Sequence, residues 1–328
     1  MGRDEKVKAL SQKLLDGVRQ TFQSGHFKNY LKAISTFRNY SPRNVELIFL
    51  QNSNATYVAG YDTWKKLGRY VRRGETGISI FAPAVVVEKH EEPFLDNDGN
   101  QGLGDDGRPL AHEVKKTLLQ FHIVTVFDVS QTEGAPLPAL CNELQGASPC
   151  TDFQKIFDAV QSICPYKIVY EEMGENTKGY CSHTDKKIAI KSGMGDKQII
   201  KTLIHEFAHA TLHGSSEKSR QQKEIEAESI AFIVSDFFGI DTSDYSFDYV
   251  SSWGYNMEPA KLQDVLQNIQ ASANQIISKV ETAIKNLEKT ELKVPPQKLP
   301  KRLNFAAEKS KELNIEKEMI PGGKLIAE

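Results

Sequence analysis

The apolar positions near the start of the chain recur at helical spacing. Leu10, Leu14, Val18 and Phe22 form one stripe, and residues 5–40 carry little Gly or Pro, so this stretch is predicted to be helical. Ser41-Pro42-Arg43-Asn44 reads as a cap and first turn, with Val45 to Gln51 continuing as a short apolar helix. The period then shortens. Ile78 to Val87 and Phe121 to Val129 are β-branched and apolar and read as two strands. The stretch His90 to Lys116 between them is rich in Asp, Asn and Gly, as a long hairpin loop would be. Within it, Asp96-Asn97-Asp98-Gly99-Asn100 resembles the opening of a calcium loop, but the Gly and the closing Glu fall out of place.

Gly134-Ala135-Pro136-Leu137-Pro138 reads as a linker. Beyond it the pattern predicts helices at 151–164, 196–213 and 220–238, the last ending at Gly239, with strands at 166–170 and 187–191. Leu262, Leu266, Ile269, Ile276, Val280, Ile284 and Leu287 alternate steps of three and four around one full heptad. They predict a long amphipathic helix over 259–290, docked on the preceding domain. After Val294-Pro295-Pro296 the chain, 291–328, is expected to be a polar and largely mobile tail.

Composition narrows the class. A chain of 328 residues with 39% hydrophobic and 26% charged residues is expected to fold into about two globular domains. No apolar run approaches a membrane span, and Met1 to Asp16 is charged throughout, unlike a signal peptide. The four cysteines have no C-x-x-C spacing, so a cytoplasmic setting is the simplest expectation. The balance of 41 Lys and Arg against 43 Asp and Glu argues at first against a nucleic-acid partner. The average conceals a contrast. Residues 26–80 hold nine cations (Lys28, Lys32, Arg38, Arg43, Lys65, Lys66, Arg69, Arg72 and Arg73) and only three acids. Interleaved with them are Tyr30, Phe37, Tyr40, Tyr57, Tyr61, Trp64 and Tyr70. Cations that follow phosphates, mixed with rings on which bases stack, suit a single-strand binder.

The strongest chemical signal is His205-Glu206-Phe207-Ala208-His209 inside the predicted helix at 196–213. Residues four apart share a helix face, so both imidazoles can hold one cation, and Glu206 can act as general base on a bound water. Apolar Leu203, Ile204, Phe207 and Ala208 point to a buried helix, where unpaired imidazoles would be costly. A catalytic site needs a third ligand. Glu224 and Glu228 share a face of the next helix, whereas Glu226 points elsewhere; Glu224 is favoured as ligand and Glu228 as the acceptor behind a ligating histidine. His213 continues the stripe and is expected to support the site from behind. Zinc follows from the ligand types, although two His and a carboxylate also suit manganese.

His205-Glu206-Phe207-Ala208-His209 with Leu212-His213, followed by Glu224 to Ala227, resembles the ImmA/IrrE-type zinc metallopeptidases over roughly residues 150–255. The resemblance implies that His205, His209 and Glu224 bind the metal and that Glu206 is the base. It also implies that the strand Lys187 to Lys191 is the edge that holds an extended peptide, and that a Tyr or His assists the transition state. Tyr245, Tyr249 and Tyr255 all stand open for that last role.

Asn39-Tyr40-Ser41-Pro42-Arg43-Asn44, Gln51, Gly60-Tyr61-Asp62-Thr63-Trp64-Lys65-Lys66-Leu67-Gly68-Arg69, Gly74-Glu75-Thr76-Gly77, Ile80-Phe81-Ala82-Pro83 and Phe127-Asp128-Val129-Ser130-Gln131-Thr132 are similar, in order, to the N-terminal domain of ArdC-type antirestriction proteins. That resemblance implies a single-stranded DNA-binding module ahead of a metallopeptidase-like domain, in a protein of plasmids and conjugative elements that guards incoming DNA. On it, Lys65, Lys66, Arg43, Arg69, Arg72 and Arg73 are expected to contact phosphates and Tyr61 and Trp64 to stack on bases, with a core role equally open to Trp64. The expected whole is α+β. A small N-terminal α+β DNA-binding domain (5–135) precedes a mainly helical HExxH metallopeptidase-like domain with a short sheet (150–255). The protein would then act as a zinc metalloendopeptidase with a protein substrate. The alternative is a regulatory metallopeptidase that cleaves a repressor or host protein and uses DNA only for localisation.

Overall fold

A computed structural model describes residues 2–22, 26–93, 111–137, 153–214, 217–255 and 257–291. The leading stripe becomes helix α1 (Arg3–Thr21), which buries Leu10, Leu14 and Val18, and Phe22 is buried just beyond its end. Helix α2 (His26–Thr36) buries Phe27, Tyr30, Leu31 and Ile34. Helix α3 (Pro42–Gln51) starts as its sequence suggests: the Ser41 side chain accepts from the Asn44 N–H, and Pro42 occupies the first turn, where its missing N–H costs nothing.

Strand β1 (Val58–Gly60) runs into the short helix α4 (Tyr61–Lys66) and strand β2 (Arg69–Val71). Strands β3 (Ile78–Pro93) and β4 (Ala111–Asp128) form one long antiparallel hairpin. Strand pairing therefore runs well into the stretch expected to be loop; the Asp96 to Asn100 motif itself lies outside the described residues. The first sheet has the order β1-β4-β3. The outer edge of β3 is closed by two side chains of α3. Asn44 exchanges hydrogen bonds with the N–H and C=O of Phe81, and Gln51 does the same for Ser79. Each amide thus stands in for a neighbouring strand at an edge that would otherwise be unpaired.

After a 3-10 turn (Val129–Gln131), strand β5 (Thr132–Gly134) pairs with β2. Gly134, read from sequence as linker, is therefore a strand residue. Its φ of 130° and the Gly68 carbonyl 2.4 Å from where a Cβ would sit explain the glycine. Pro138 falls outside the described residues.

Helix α5 (Phe153–Ile163) leads into a second sheet of β6 (Lys167–Glu171), β7 (Gly179–Ser182) and β8 (Lys187–Lys191), in the order β6-β8-β7. Here the sequence reading needs correction. Strand β8 is central, paired parallel to β6 and antiparallel to β7, with Ile188, Ala189 and Ile190 fully buried; the edges are β6 and β7, and β7 is the one that lines the cleft described below. Helices α6 (Asp196–Leu212), α7 (Arg220–Phe237), α8 (Asp248–Gly254) and α9 (Pro259–Glu291) complete the fold. The fold is α+β.

Met1–Ile284 forms one compact unit, and Lys285 begins a second, described only to residue 291. The expected tail beyond 291 lies outside the described residues. Within the first unit the N-terminal helices share a core with the C-terminal ones. Phe22 packs at a tilt against Trp253, Phe27 packs edge-on against Phe247, and Arg38 pairs with Glu281 at 3.0 Å. The amides of Gln270 and Asn274 on α9 donate to the Tyr40 and Arg38 carbonyls.

One buried acid sits in this shared core. Glu46 on α3 is 2% exposed, and burial outweighs the opposing pull of the nearby Gln263 amide on α9, pushing its carboxyl from the ordinary 4.5 up to about 8. The native chain thus keeps a proton that the unfolded chain releases. Its stability is greatest below the unfolded value and declines as pH rises toward 8. Urea unfolding of the wild type is expected to weaken across that window relative to Glu46→Gln, by about 1.4 kcal/mol per unit of pKa difference.

Candidate metal centre

Helix α6 buries Ile200, Leu203, Ile204, Phe207 and Ala208 along one side, which leaves His205 and His209, one turn apart, facing a cleft. Helix α7, whose N-terminus is capped by the Ser219 side chain, brings Glu224 and Glu228 to the same place. The Nε2 atoms of His205 and His209 lie 3.1 Å apart, and Glu224 Oε2 lies 3.5 and 3.6 Å from them. Two ligands held about 2.0–2.1 Å from a tetrahedral ion lie roughly 3.3 Å from each other. The three atoms therefore stand where three corners of such a shell would be, and among the described residues they form a group able to hold a cation.

The surroundings favour lone pairs at that point. Glu228 Oε2 is 3.0 Å from His205 Nδ1, an ion-pair contact whose angle falls short of a hydrogen bond, and it favours a hydrogen on that nitrogen. His213 Nδ1 is 2.9 Å from His209 Nδ1, and His213 Nε2 is 3.0 Å from Glu226 Oε2. Glu226 accordingly does point elsewhere than at the cleft, as its spacing predicts. Burial lowers the basicity of His205, but the carboxylates of Glu224 and Glu228, with Glu206 nearby, raise its pKa to about 10. A proton held among acceptors in this way marks a place that a metal ion would compete for.

Glu206 is 7% exposed; burial raises its carboxyl above the ordinary range against the opposing pull of His205 and His209. It lies in a cleft of about 690 Å³ with β7 along its rim. The approach of β7 to α6 depends on Gly179. A Cβ there would sit 2.6 Å from Thr202 Cγ2 and 3.4 Å from Glu206 Cγ. Gly179→Ala is expected to push the strand off the helix at a cost of about 1–3 kcal/mol in thermal unfolding, and to impair any chemistry at Glu206.

The three tyrosines are now separated. Tyr245 lines the cleft, and its backbone carbonyl accepts from Lys28 of α2 at 2.9 Å. Tyr249 lies close enough to Glu228 and Glu224 that burial and these charges push its phenol up to about 12. Tyr255 is 74% exposed. His183, which no spacing singled out, also lines the cleft, with its Nδ1 2.9 Å from the Tyr166 hydroxyl. It follows the unremarked strand β7, and pairing with β8 is what brings it here.

In the N-terminal half the expected DNA contacts divide. Tyr61 is 54% exposed, and Arg43, Lys65, Lys66 and Arg73 are exposed. Trp64 is not available for stacking: it is fully buried and donates its indole N–H to the Phe127 carbonyl. Arg69 is spent on Thr132 Oγ1 and the carbonyls of Thr132 and Ala135, and Arg72 is tied to Glu75 at 2.7 Å and to the Ser130 carbonyl. Trp64 and Arg69 thus brace the β2–β5 corner and the first sheet, whereas Arg72 keeps 46% of its side chain exposed beside these bonds. Among the described residues no helix is long and apolar enough to cross a membrane.

Two solved structures of the antirestriction ArdC protein from the R388 plasmid overlap this chain. The metal-free structure does so at TM-score 0.46 with 22% identity, over 75% of this chain and 86% of that one. The Mn(II)-bound structure does so at TM-score 0.47 with 18% identity, over 85% and 98%. An uncharacterized protein of Bacillus anthracis, pXO2-81, is 25% identical over 313 residues, 87% of this chain and 53% of that protein. The chain thus spans about half the length of the curated relative it matches. Residues 5–127 match the family model of the N-terminal domain of anti-restriction factor ArdC. Over those residues the chain is similar to the N-terminal domain of ArdC.

Proposed function

We propose that this protein is a two-function guard of incoming DNA, in which residues 5–135 bind single-stranded DNA and residues 150–255 carry a metal-dependent peptidase site. The observation that carries the second half is the convergence of His205, His209 and Glu224 beside a buried Glu206 in an open cleft. The donor set fits zinc, and manganese is the second choice. When bound, such an ion supplies a water of lowered pKa and polarises a carbonyl. The protein's own groups do the rest. Glu206 takes the proton of the attacking water and returns it to the leaving nitrogen. In this reading the outer edge of β7 pairs with the backbone of an extended peptide, and Tyr245 and Tyr249 remain the candidates for a donor to the developing oxyanion.

For DNA, Lys65, Lys66, Arg73 and Arg43 supply phosphate contacts. Exposed Tyr61, Tyr70 and Phe121 supply aromatic surface, since Trp64 is in the core. Reversal of Lys65, Lys66 and Arg73 to Glu is expected to weaken binding of a single-stranded oligonucleotide and to flatten its salt dependence by about three units of slope at most. Unchanged affinity and slope would remove the basis for this surface. The peptidase half is tested by titrating the full chain with zinc and manganese and following cleavage of protein substrates with and without chelator.

A further inference from the structure

The acid that the helical spacing turns away from the cleft faces the site from behind. Glu226 is 2% exposed, and its carboxylate accepts from Lys218 Nζ at 2.8 Å on both oxygens and from Gln222 at 3.0 Å. Its third neighbour is His213 Nε2 at 3.0 Å, on a ring that is itself buried.

We propose that Glu226 is a positioning residue of the metal centre, acting through His213 to set the tautomer of His209. This rests on the reading of His205, His209 and Glu224 as metal-holding groups. An ionised carboxylate only accepts, so His213 carries its hydrogen on Nε2. A neutral ring then has a lone pair on Nδ1, and that atom lies 2.9 Å from His209 Nδ1. His209 must therefore carry its own hydrogen on Nδ1, which leaves the Nε2 lone pair directed at the point shared with His205 and Glu224. Two linked imidazoles transmit the polarity of one buried carboxylate over a distance that it does not span itself. His205 is oriented by the shorter route, through Glu228 alone.

The relay has a direction, and one substitution should reverse it. In Glu226→Gln, Lys218 holds the amide carbonyl and the NH2 turns to His213 Nε2. His213 then carries its hydrogen on Nδ1 and donates to His209, whose hydrogen moves to Nε2 and blocks the metal. Zinc and manganese affinity, measured by chelator competition on the full chain, is expected to fall by about 10–100-fold. Adding Lys218→Met frees the amide to turn its carbonyl toward His213, and part of the affinity should return. Loss of packing alone would not be repaired by a second substitution. Long-range 15N spectra of the metal-free wild type read the tautomers directly. His213 protonated on Nε2 and His209 on Nδ1 is the expected result, and His213 protonated on Nδ1 overturns the proposal even if Glu226→Gln fails to fold. Glu226→Gln with wild-type affinity and wild-type tautomers overturns it as well. A wild type that has these tautomers but binds neither ion would instead sink the metal reading and leave the relay intact.

Discussion

Glu206→Gln is expected to reduce hydrolysis by about 10²–10⁴-fold while zinc titrates as in the wild type. The amide matches the carboxylate in shape, and Glu206 is outside the group formed by His205, His209 and Glu224, so the metal-holding geometry has no reason to change. What is lost is the proposed base. Burial holds the Glu206 carboxyl above its ordinary range, toward the pH at which a base is both ionised and strong enough to be useful. Any hydrolysis by the wild type should therefore fall as pH drops through that raised range, because the proposed base becomes protonated, and the variant should lack that limb. The same variant separates the two roles proposed for the chain. If protection of incoming DNA survives unchanged and no protein is cleaved less, the peptidase reading fails and coating of single strands carries the function. If protection falls with cleavage while oligonucleotide binding is untouched, hydrolysis is the active arm.

The site was legible in sequence to the extent that it lies on two helices. His205 and His209, and Glu224 and Glu228, are four apart, and that spacing alone puts each pair on one face. Glu226 fell between and was correctly turned away, but its partner is set by the packing of α7 against the end of α6, which no local pattern encodes. The edge strand was misplaced for a similar reason. Lys187 to Lys191 has the stronger β pattern because it is central and buried, whereas the edge beside the cleft, Gly179 to Ser182, is short and starts with a glycine whose purpose lies across the cleft at Thr202 and Glu206. The N-terminal motifs were legible as a set but not as roles. Asn44 and Gln51 close the β3 edge. Asp128 accepts from the N–H groups of Thr56, Tyr57 and Ser130, and Gln131 donates to the Thr76 carbonyl. A polar residue inside a motif suggests a ligand contact, but its hydrogen bonds can equally go to backbone far away in sequence.

Trp64 and Tyr61 make that distinction measurable, since they are three residues apart on one short helix and were paired as stacking candidates. Trp64 is fully buried, with its ring 5.3 Å from that of Tyr57 and its N–H on the Phe127 carbonyl. Trp64→Ala is expected to cost about 3–5 kcal/mol of stability, the range for truncating a large buried ring. Trp64→Phe keeps most of the volume but leaves the Phe127 carbonyl without its donor, which should cost about 1–3 kcal/mol. Tyr61, 54% exposed, should behave oppositely. Tyr61→Ala is expected to leave unfolding within about 0.5 kcal/mol of the wild type, yet to weaken single-stranded DNA by about 1–3 kcal/mol if a base stacks on it. Denaturant unfolding and oligonucleotide titration of the same three variants test both assignments together. A Trp64→Phe protein of wild-type stability with impaired DNA binding would restore Trp64 to the interface. A Tyr61→Ala protein of wild-type affinity would move the stacking surface to the hairpin, where Phe121 and its neighbour Val85 stand exposed.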